Sequence, residues 1–317
     1  MPVIGITIGD AAGIGPEITL KALHESAFGE GCDVLMIGDE NHLRKLSERL
    51  RIDVGADIHD MRNLPKDFEI GIDAAVTGKA AAENIETAVD LWRDGKIDAI
   101  CTAPISKKAI HLGGYEYPGH TEFLAELTGT KDFRMSFFAG ELRTVLLSTH
   151  VSLADAILLV KKDALVELIH FTSREMKKLL NRSVSIAVAG LNPHASEDGM
   201  FGSEEREEIM PAIKACRQQG IDVSGPYSPD TIFLRGYRGD FDAVIALYHD
   251  QATVAVKSLS FGSGVNVTLG LPLIRTSVDH GTAYDIAGKG VADASSMASA
   301  LKLAAALAQL SPQRAKI

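Results

Sequence analysis

Residues 3–38 read VIGITIGDAAGIGPEITLKALHESAFGEGCDVLMIG, and the order of its parts decides the fold class. Val3 to Gly9 is a β-rich apolar run, Asp10 to Gly15 a glycine-rich turn, Pro16 to His24 a segment of helical period, and Asp33 to Gly38 a second β-rich run. Strand, tight turn, helix and strand in that order are the unit of an α/β sheet. The alternation continues along the chain. Strands are predicted at Asp98 to Ala103, Ser183 to Leu191 and Asp242 to Tyr248. Helices are predicted at Asn41 to Leu50, Ala80 to Asp94, Lys162 to Leu180, Glu204 to Gln219 and Ala294 to Leu310. The segment FRMSFFAGELRTVLLSTH departs from this rhythm, because two β-rich runs flank Ala139-Gly140 as in a hairpin. The sheet is therefore predicted to be mixed.

A chain of 317 residues exceeds one average core and points to two domains. Its 46% hydrophobic and 23% charged content belong to a folded enzyme rather than a disordered or fibrous chain. The net charge is −10 and no Lys/Arg run marks a track for a phosphate backbone, which argues against a nucleic-acid partner. No apolar run approaches the ~20 residues that span a bilayer, and no charged segment precedes the first apolar stretch, so a cytoplasmic protein without a membrane partner is expected. Cys32, Cys101 and Cys216 are odd in number, far apart and flanked by apolar residues, which reads as three small buried hydrophobes.

Three of the ten histidines share one kind of position, the end of a predicted strand where the backbone turns: His150 in VLLSTHVSL, His194 in AGLNPHASE and His249 in ALYHDQ. Ligand sites of open α/β sheets gather outside the carboxyl ends of strands. Three imidazoles there suit a borderline divalent ion such as Zn²⁺, although each one alone reads first as a hydrogen-bonded loop residue and only the shared position favours a ligand. His24, His42, His59, His111 and His170 sit beside polar neighbours on helical segments and read as surface groups. Asp250, next to His249, and Asp230, in GPYSPDT, are carboxylates that can orient an imidazole or act as a general base, with a turn role for Asp230 competing.

At YPGHTEF a turn runs into a helix, so that His120, Thr121 and backbone N–H groups could make an anion site, although from these residues alone an ordinary capped helix is the stronger reading. Lys257, Asn266 and Arg275 lie in apolar runs that read as half-buried strands, where a lone cation is costly; a bound anion would explain them. GDAAGIGPE lacks the full GxGxxG spacing, and Pro16 at the first helical turn explains its glycines as a tight structural or substrate-side entry.

Over nearly the whole chain the motifs GDAAGIGPE, TAPISK, PGHTEF, LSTH, GLNPHASE, GPYSPDT, YHDQ, GVNVTLGLP and RTSVDHGTAYDIAGKGVAD resemble, in order and spacing, the 4-hydroxythreonine-4-phosphate dehydrogenase family of pyridoxal phosphate biosynthesis. The resemblance implies the isocitrate/isopropylmalate dehydrogenase-like fold, two α/β domains with a cleft between them. We place these at residues 1–130 plus 276–317 and at 131–275, the second carrying the metal ligands and a dimer interface. It further implies a homodimer with active sites at the interface and a divalent metal on His150, His194 and His249, with Zn first and Mg, Mn or Co as alternatives. Substrate contacts come from His120, Thr121, Lys257, Asn266 and Arg275. DHGTAYDIAGKGVAD is similar to the adenosine-binding loop of those dehydrogenases, which puts His280, Gly281, Ala283, Asp285 and Ile286 on NAD or NADP. Asp293 stands where the isopropylmalate enzymes commonly have Asn.

The expected activity is NAD(P)-dependent oxidation of the 3-hydroxyl of 4-hydroxythreonine 4-phosphate, with decarboxylation to 3-amino-2-oxopropyl phosphate. Asp250, Lys257 and Asp230 are the candidate catalytic groups. Ala11, Ser196, Ala252 and Ala255 replace residues usual in the family motifs, which fits a paralogue acting on D-threonate or D-erythronate 4-phosphate; a cis-dihydrodiol dicarboxylate is a further alternative. A metallohydrolase would need no adenosine loop, and a phosphate-sensing binding protein would need neither metal nor nicotinamide.

Overall fold

The structure is a computed structural model that describes residues 1–25, 31–260 and 263–310. The chain divides into two compact units, Met1–Phe133 with Leu271–Ile317, and Arg134–Gly270. The first contains β1 (Val3–Thr7), β2 (Asp33–Gly38), β3 (Asp57–Asp60) and β4 (Ala99–Thr102). The second contains β5 (Arg134–Ala139), β6 (Leu142–Leu146), β7 (Ile186–Ala189), β8 (Val223–Tyr227), β9 (Ala243–Ala246) and β10 (Val265–Leu269), after which the chain returns to the first unit as β11 (Ile274–Ser277).

In the first unit the order is β3-β2-β1-β4-β11, every pairing parallel. Strands covered by helices on both faces must be apolar on both. Ile4 and Ile6 of β1, Ile37 of β2 and Ile100 of β4 are accordingly sealed from solvent. A core around Ile85, Ile97, Ile100, Phe123 and Leu124 fills the space between strands and helices. In the second unit the order is β10-β5-β6-β9-β7-β8. β5 pairs antiparallel with both β10 and β6, while β6, β9, β7 and β8 pair in parallel, so the sheet is mixed as expected. The hairpin turns at Gly140 and Glu141, with Gly140 at φ +55°, a left-handed conformation natural to glycine. Phe137, Leu142, Ile232, Phe233 and Val256 belong to this unit's core.

Several local expectations differ from the structure. The stretch predicted as one helix from Glu204 to Gln219 begins as a π-helical turn, Glu205–Ile209, and continues as the α-helix Met210–Gln218. Pro211 has no N–H to donate back along the chain, so the regular ladder cannot pass through it and the preceding turn widens. HDQATVAVKSL is a helix, His249–Ser260, and not a strand. Ala252, Val256 and Ser260 recur every fourth residue on its buried side, whereas Lys257 is exposed. The burial argument for an anion therefore fails at Lys257 and survives at Arg275, which is 3% exposed on β11. β3 and β8 escape the sequence pattern because each is the last strand of its sheet, one polar (DIHD) and one interrupted by Gly225 and Pro226. All three cysteines are free and buried. No helix among the described residues is long and apolar enough to cross a membrane.

His42 is not a surface group. It lies in the helix Glu40–Leu50 with its ring 5.2 Å from that of Phe68 and its Nε2 enclosed without a hydrogen-bond partner. Burial lowers its pKa to about 4, with Asp39 opposing and Arg49 and Lys45 adding to the shift. The unfolded chain binds a proton here near pH 6.5, so between pH 6.5 and 4 it binds more protons than the folded chain, and stability is lost as pH falls. The shift corresponds to at most about 3 kcal/mol, reduced by whatever solvent reaches the ring. His42→Leu should flatten the fall in Tm between pH 7 and 4.5. A variant as acid-sensitive as the wild type would place the sensitivity elsewhere.

Candidate active site

Two groups of side chains stand out, one in each unit. In the first unit, β4 ends at Thr102, wholly buried within TAPISK, and β11 brings Arg275 alongside it in parallel register. Arg275 donates from Nη2 to Thr102 Oγ1 at 2.9 Å and from Nε at 3.2 Å. Burial pulls the guanidinium pKa down to about 10, opposed by Cys101 and Glu122, so it remains charged at neutral pH. His120 begins the helix His120–Thr128 behind Gly119. Its Nε2 is enclosed with no hydrogen-bond partner, and burial together with the neighbouring Arg275 charge holds its pKa well below the usual range. The imidazole is therefore neutral, and its Nε2 can donate an N–H. Buried charge, neutral imidazole and helix N-terminus are together a combination that can receive a compact anion. Thr121 is half-buried on the first turn of the same helix. Thr102 was missed from sequence; its signal was the TAPISK motif at a predicted strand end, but only the pairing of β4 with β11 shows what its hydroxyl meets.

The same unit explains GDAAGIGPE. Asp10, wholly buried, accepts from Ala12 N–H at 2.9 Å and from the Tyr284 hydroxyl at 2.8 Å. Ile14 N–H donates to Thr282 C=O at 3.0 Å, and a Cβ on Gly13 would lie 2.9 Å from that oxygen. Glu17 accepts from the backbone N–H of Gly290 and Ala292, while Lys21 bridges Glu17 and the carbonyls of those residues. The opening motif is thus the structural support of the 282–292 loop. On that loop Asp285 is exposed, Ala283 and Ile286 are half-buried and Ala283 sits at φ +42°, while His280 and Gly281, just before it, are exposed. Asp293 accepts from Ser295 N–H at 2.8 Å, which holds its carboxyl below the usual range, with His280 contributing.

In the second unit the three histidines follow β6, β7 and β9. The rings of His150 and His249 lie 5.9 Å apart, close enough for one nitrogen of each to reach a shared ion at about 2.0–2.1 Å. His249 Nδ1 is 2.7 Å from Asp250 Oδ1, and in the tautomer protonated on Nδ1 the carboxylate accepts that hydrogen bond while Nε2 offers its lone pair. His194 is exposed and opens a run, His194 to Asp198, in which all five residues have φ between +42° and +73°. Consecutive non-glycine residues in the left-handed region are strained, and such strain collects at functional sites. Among the described residues no group of three or more His, Cys, Asp and Glu is placed to hold an ion. Asp230 lies on the exposed first turn of the helix Pro229–Tyr237, where Ser228 Oγ donates to it at 2.6 Å. Asn266 is half-buried on β10, in register with Phe137.

Comparison with known proteins gives this geometry a context. The D-threonate 4-phosphate dehydrogenase of Cupriavidus necator is 46% identical over 97% of this chain and 98% of its own length. The 4-hydroxythreonine-4-phosphate dehydrogenase of Desulforapulum autotrophicum is 44% identical over 96% of this chain and 95% of its own. The solved 4-hydroxythreonine-4-phosphate dehydrogenase of Klebsiella pneumoniae superimposes with a TM-score of 0.89 at 38% identity, covering 98% of this chain and all of that one. The family model for the pyridoxal phosphate biosynthetic protein PdxA matches residues 30–304, and the chain belongs to the PdxA family.

Proposed function

We propose that this protein is a metal-dependent NAD(P) dehydrogenase that oxidises the 3-hydroxyl of a four-carbon acid 4-phosphate. The observation that carries the reading is Arg275, a guanidinium 3% exposed on β11 beside the enclosed Nε2 of His120. In this reading Arg275, His120 and Thr121 bind the phosphate, and Lys257 and Asn266 contact the rest of the substrate. The 280–286 loop, braced by Glu17 and Asp10, would hold the adenosine half of a nicotinamide cofactor, whose chemistry would be to take up the hydride. His150, His194 and His249 would hold a divalent ion, Zn²⁺ by donor type, and the ion would supply Lewis-acid polarisation of the substrate hydroxyl. Asp250 orients His249, and Lys257 and Asp230, both exposed, are the candidates for taking the hydroxyl proton.

With 4-hydroxythreonine 4-phosphate the oxidised product is a β-keto acid that loses CO₂ to give 3-amino-2-oxopropyl phosphate. D-Threonate 4-phosphate carries a hydroxyl in place of the amine and follows the same course. That second reading is favoured by the 46% identical relative of that name and by Ser196 and Ala252, which depart from the usual motifs in the buried footing of the histidine loops. Protein supplied with NAD⁺ or NADP⁺, a divalent ion and each phosphorylated acid should raise absorbance near 340 nm with at least one of them. No reduction with either acid and either cofactor would reject the reading.

The dimer is part of the proposal: each site takes the His150 and His249 pair of one chain together with His194 of the partner subunit. Mixing His194→Ala and His249→Ala chains should restore a fraction of activity, because one of the two shared sites regains all three ligands. His150→Ala mixed with His249→Ala should restore none, as the structure brings those two rings together within a single chain. Verified subunit exchange with no recovery in the first pair would count against a shared site.

A further inference from the structure

The three histidine loops are joined by a chain of buried side-chain hydrogen bonds. β6, β9 and β7 are neighbours in that order and run parallel, so their carboxyl ends lie side by side. Leu247, just past the end of the middle strand β9, is the hub. Its N–H donates to Gln251 Oε1 at 2.7 Å, and its C=O accepts from Ser148 Oγ at 2.9 Å. Gln251 Nε2 in turn donates to Gly190 C=O at 2.8 Å, at the end of β7. Ser148 precedes His150 by two residues, Leu247 precedes His249 by two, and Gly190 precedes His194 by four. Gln251 and Ser148 are 8% and 6% exposed. Both hydrogen bonds of Gln251 require one orientation of its amide, oxygen towards Leu247 and nitrogen towards Gly190, so the side chain acts as a two-ended spacer of defined length. On the far side of the His194 loop Glu205, 2% exposed, accepts from the N–H groups of Leu191 and Asn192 at 2.8 and 2.7 Å.

We propose that Gln251 is a positioning residue that fixes the distance between the His194 and His249 loops, with Ser148 extending the clasp to the His150 loop. Both hydrogen bonds of the Gln251 amide go to backbone groups, at Leu247 and Gly190, so it acts through the backbone that carries the imidazoles. In the shared-site reading each ion takes the His150 and His249 pair of one chain and His194 of the partner subunit, so the clasp fixes where each chain presents its pair and its single imidazole to the two sites at once. A metal site demands its ligands within a few tenths of an ångström, and two short hydrogen bonds in a buried interior hold both presentations to that tolerance where exposed loops alone do not. The functional consequence rests on the reading of the three histidines as metal ligands; the mechanical coupling of the loops does not.

The test uses full-length Gln251→Met, which keeps the side-chain length and removes both hydrogen bonds, and Gln251→Glu, which keeps an acceptor for Leu247 but sets a carboxylate oxygen against the Gly190 carbonyl. Ile213→Val, in the buried face of the helix Met210–Gln218, is a control for general destabilisation. Amide hydrogen exchange on the metal-free protein should show residues 189–195 and 247–250 losing protection together in Gln251→Met. Ser148→Ala should loosen 147–150 and 247–250 while leaving 189–195 protected. Co²⁺, followed by its visible absorption, should bind Gln251→Met about 10- to 100-fold more weakly, the range seen when outer supports of metal ligands are removed, and should bind Ile213→Val as it binds wild type. Loss of protection in only one of the two loops, or wild-type Co²⁺ affinity in Gln251→Met, overturns the proposal. Should wild type itself bind no Co²⁺, the metal reading falls, and joint or separate loosening of the loops still decides whether the clasp exists. If Gln251→Met does not fold, Gln251→Glu and Ser148→Ala carry the same comparisons.

Discussion

Arg275→Met should lower kcat/KM for the phosphorylated acid by roughly 10²- to 10³-fold, because removing one partner of a buried hydrogen-bonded charge pair costs about 3–5 kcal/mol. Methionine matches the length of the arginine stem and leaves β11 packed, so Tm should stay within a few degrees of wild type. Most of the loss should appear in KM, with some in kcat, since binding energy at the phosphate helps to place the reacting carbon. The dephosphorylated acid, if it turns over, should be affected far less. Arg275→Lys should recover part of the loss, as it restores charge without the forked donor geometry. Kinetics on both substrates across the three proteins check this, and equal losses with and without the phosphate would show that Arg275 serves the fold or the carboxylate instead.

The second large effect is expected at His194. Asparagine is the informative replacement, because it tolerates the φ of +53° that this residue adopts, whereas alanine adds a backbone penalty of its own. His194→Asn removes one imidazole of three, and an ion bound by the remaining two has lost both affinity and the geometry that polarises a hydroxyl. Several kcal/mol of transition-state stabilisation correspond to a fall in activity of about 10³-fold or more. Metal content by elemental analysis should fall well below that of wild type after the same dialysis, with the circular dichroism spectrum unchanged because the side chain is exposed. Full activity in a metal-free His194→Asn protein would remove the histidine set from the mechanism. Chelation of the wild type followed by restoration with Zn²⁺, Co²⁺ or Mn²⁺ separates loss of the ion from loss of the residue.

Much of this was legible in the sequence because it depends on neighbours along the chain. The alternation of apolar runs with helical periods places β1, β2, β4, β7 and β9 within a few residues of their structural bounds, and the Ala139-Gly140 hairpin with them. Each histidine of the proposed set stands at a strand end, which is a local property of the sequence around it. What failed locally did so for identifiable reasons. HDQATVAVKSL mixes β-branched residues with alanines, and its state is settled by which residues the second core accepts, Ala252 and Val256 among them. His42 looks polar and peripheral beside Asn41 and Arg44, yet Phe68, 26 residues further on, packs against it.

By itself, then, the sequence determined the class of fold, the alternation of strands and helices apart from β3, β8 and the helix His249–Ser260, and the residue types that can do chemistry, because hydrophobic periodicity and turn composition are written in contiguous residues. Tertiary structure alone decided which of those residues meet. Thr102 and Arg275 are 173 positions apart and touch only because β4 and β11 pair in parallel. Glu17 and Ala292 are 275 apart and join the opening motif to the loop it supports. Gln251 reaches Gly190, 61 positions earlier, because β7 and β9 lie side by side. Contacts at such separations depend on the register of a whole sheet, which is set by the collective burial of its strands and which no local pattern encodes.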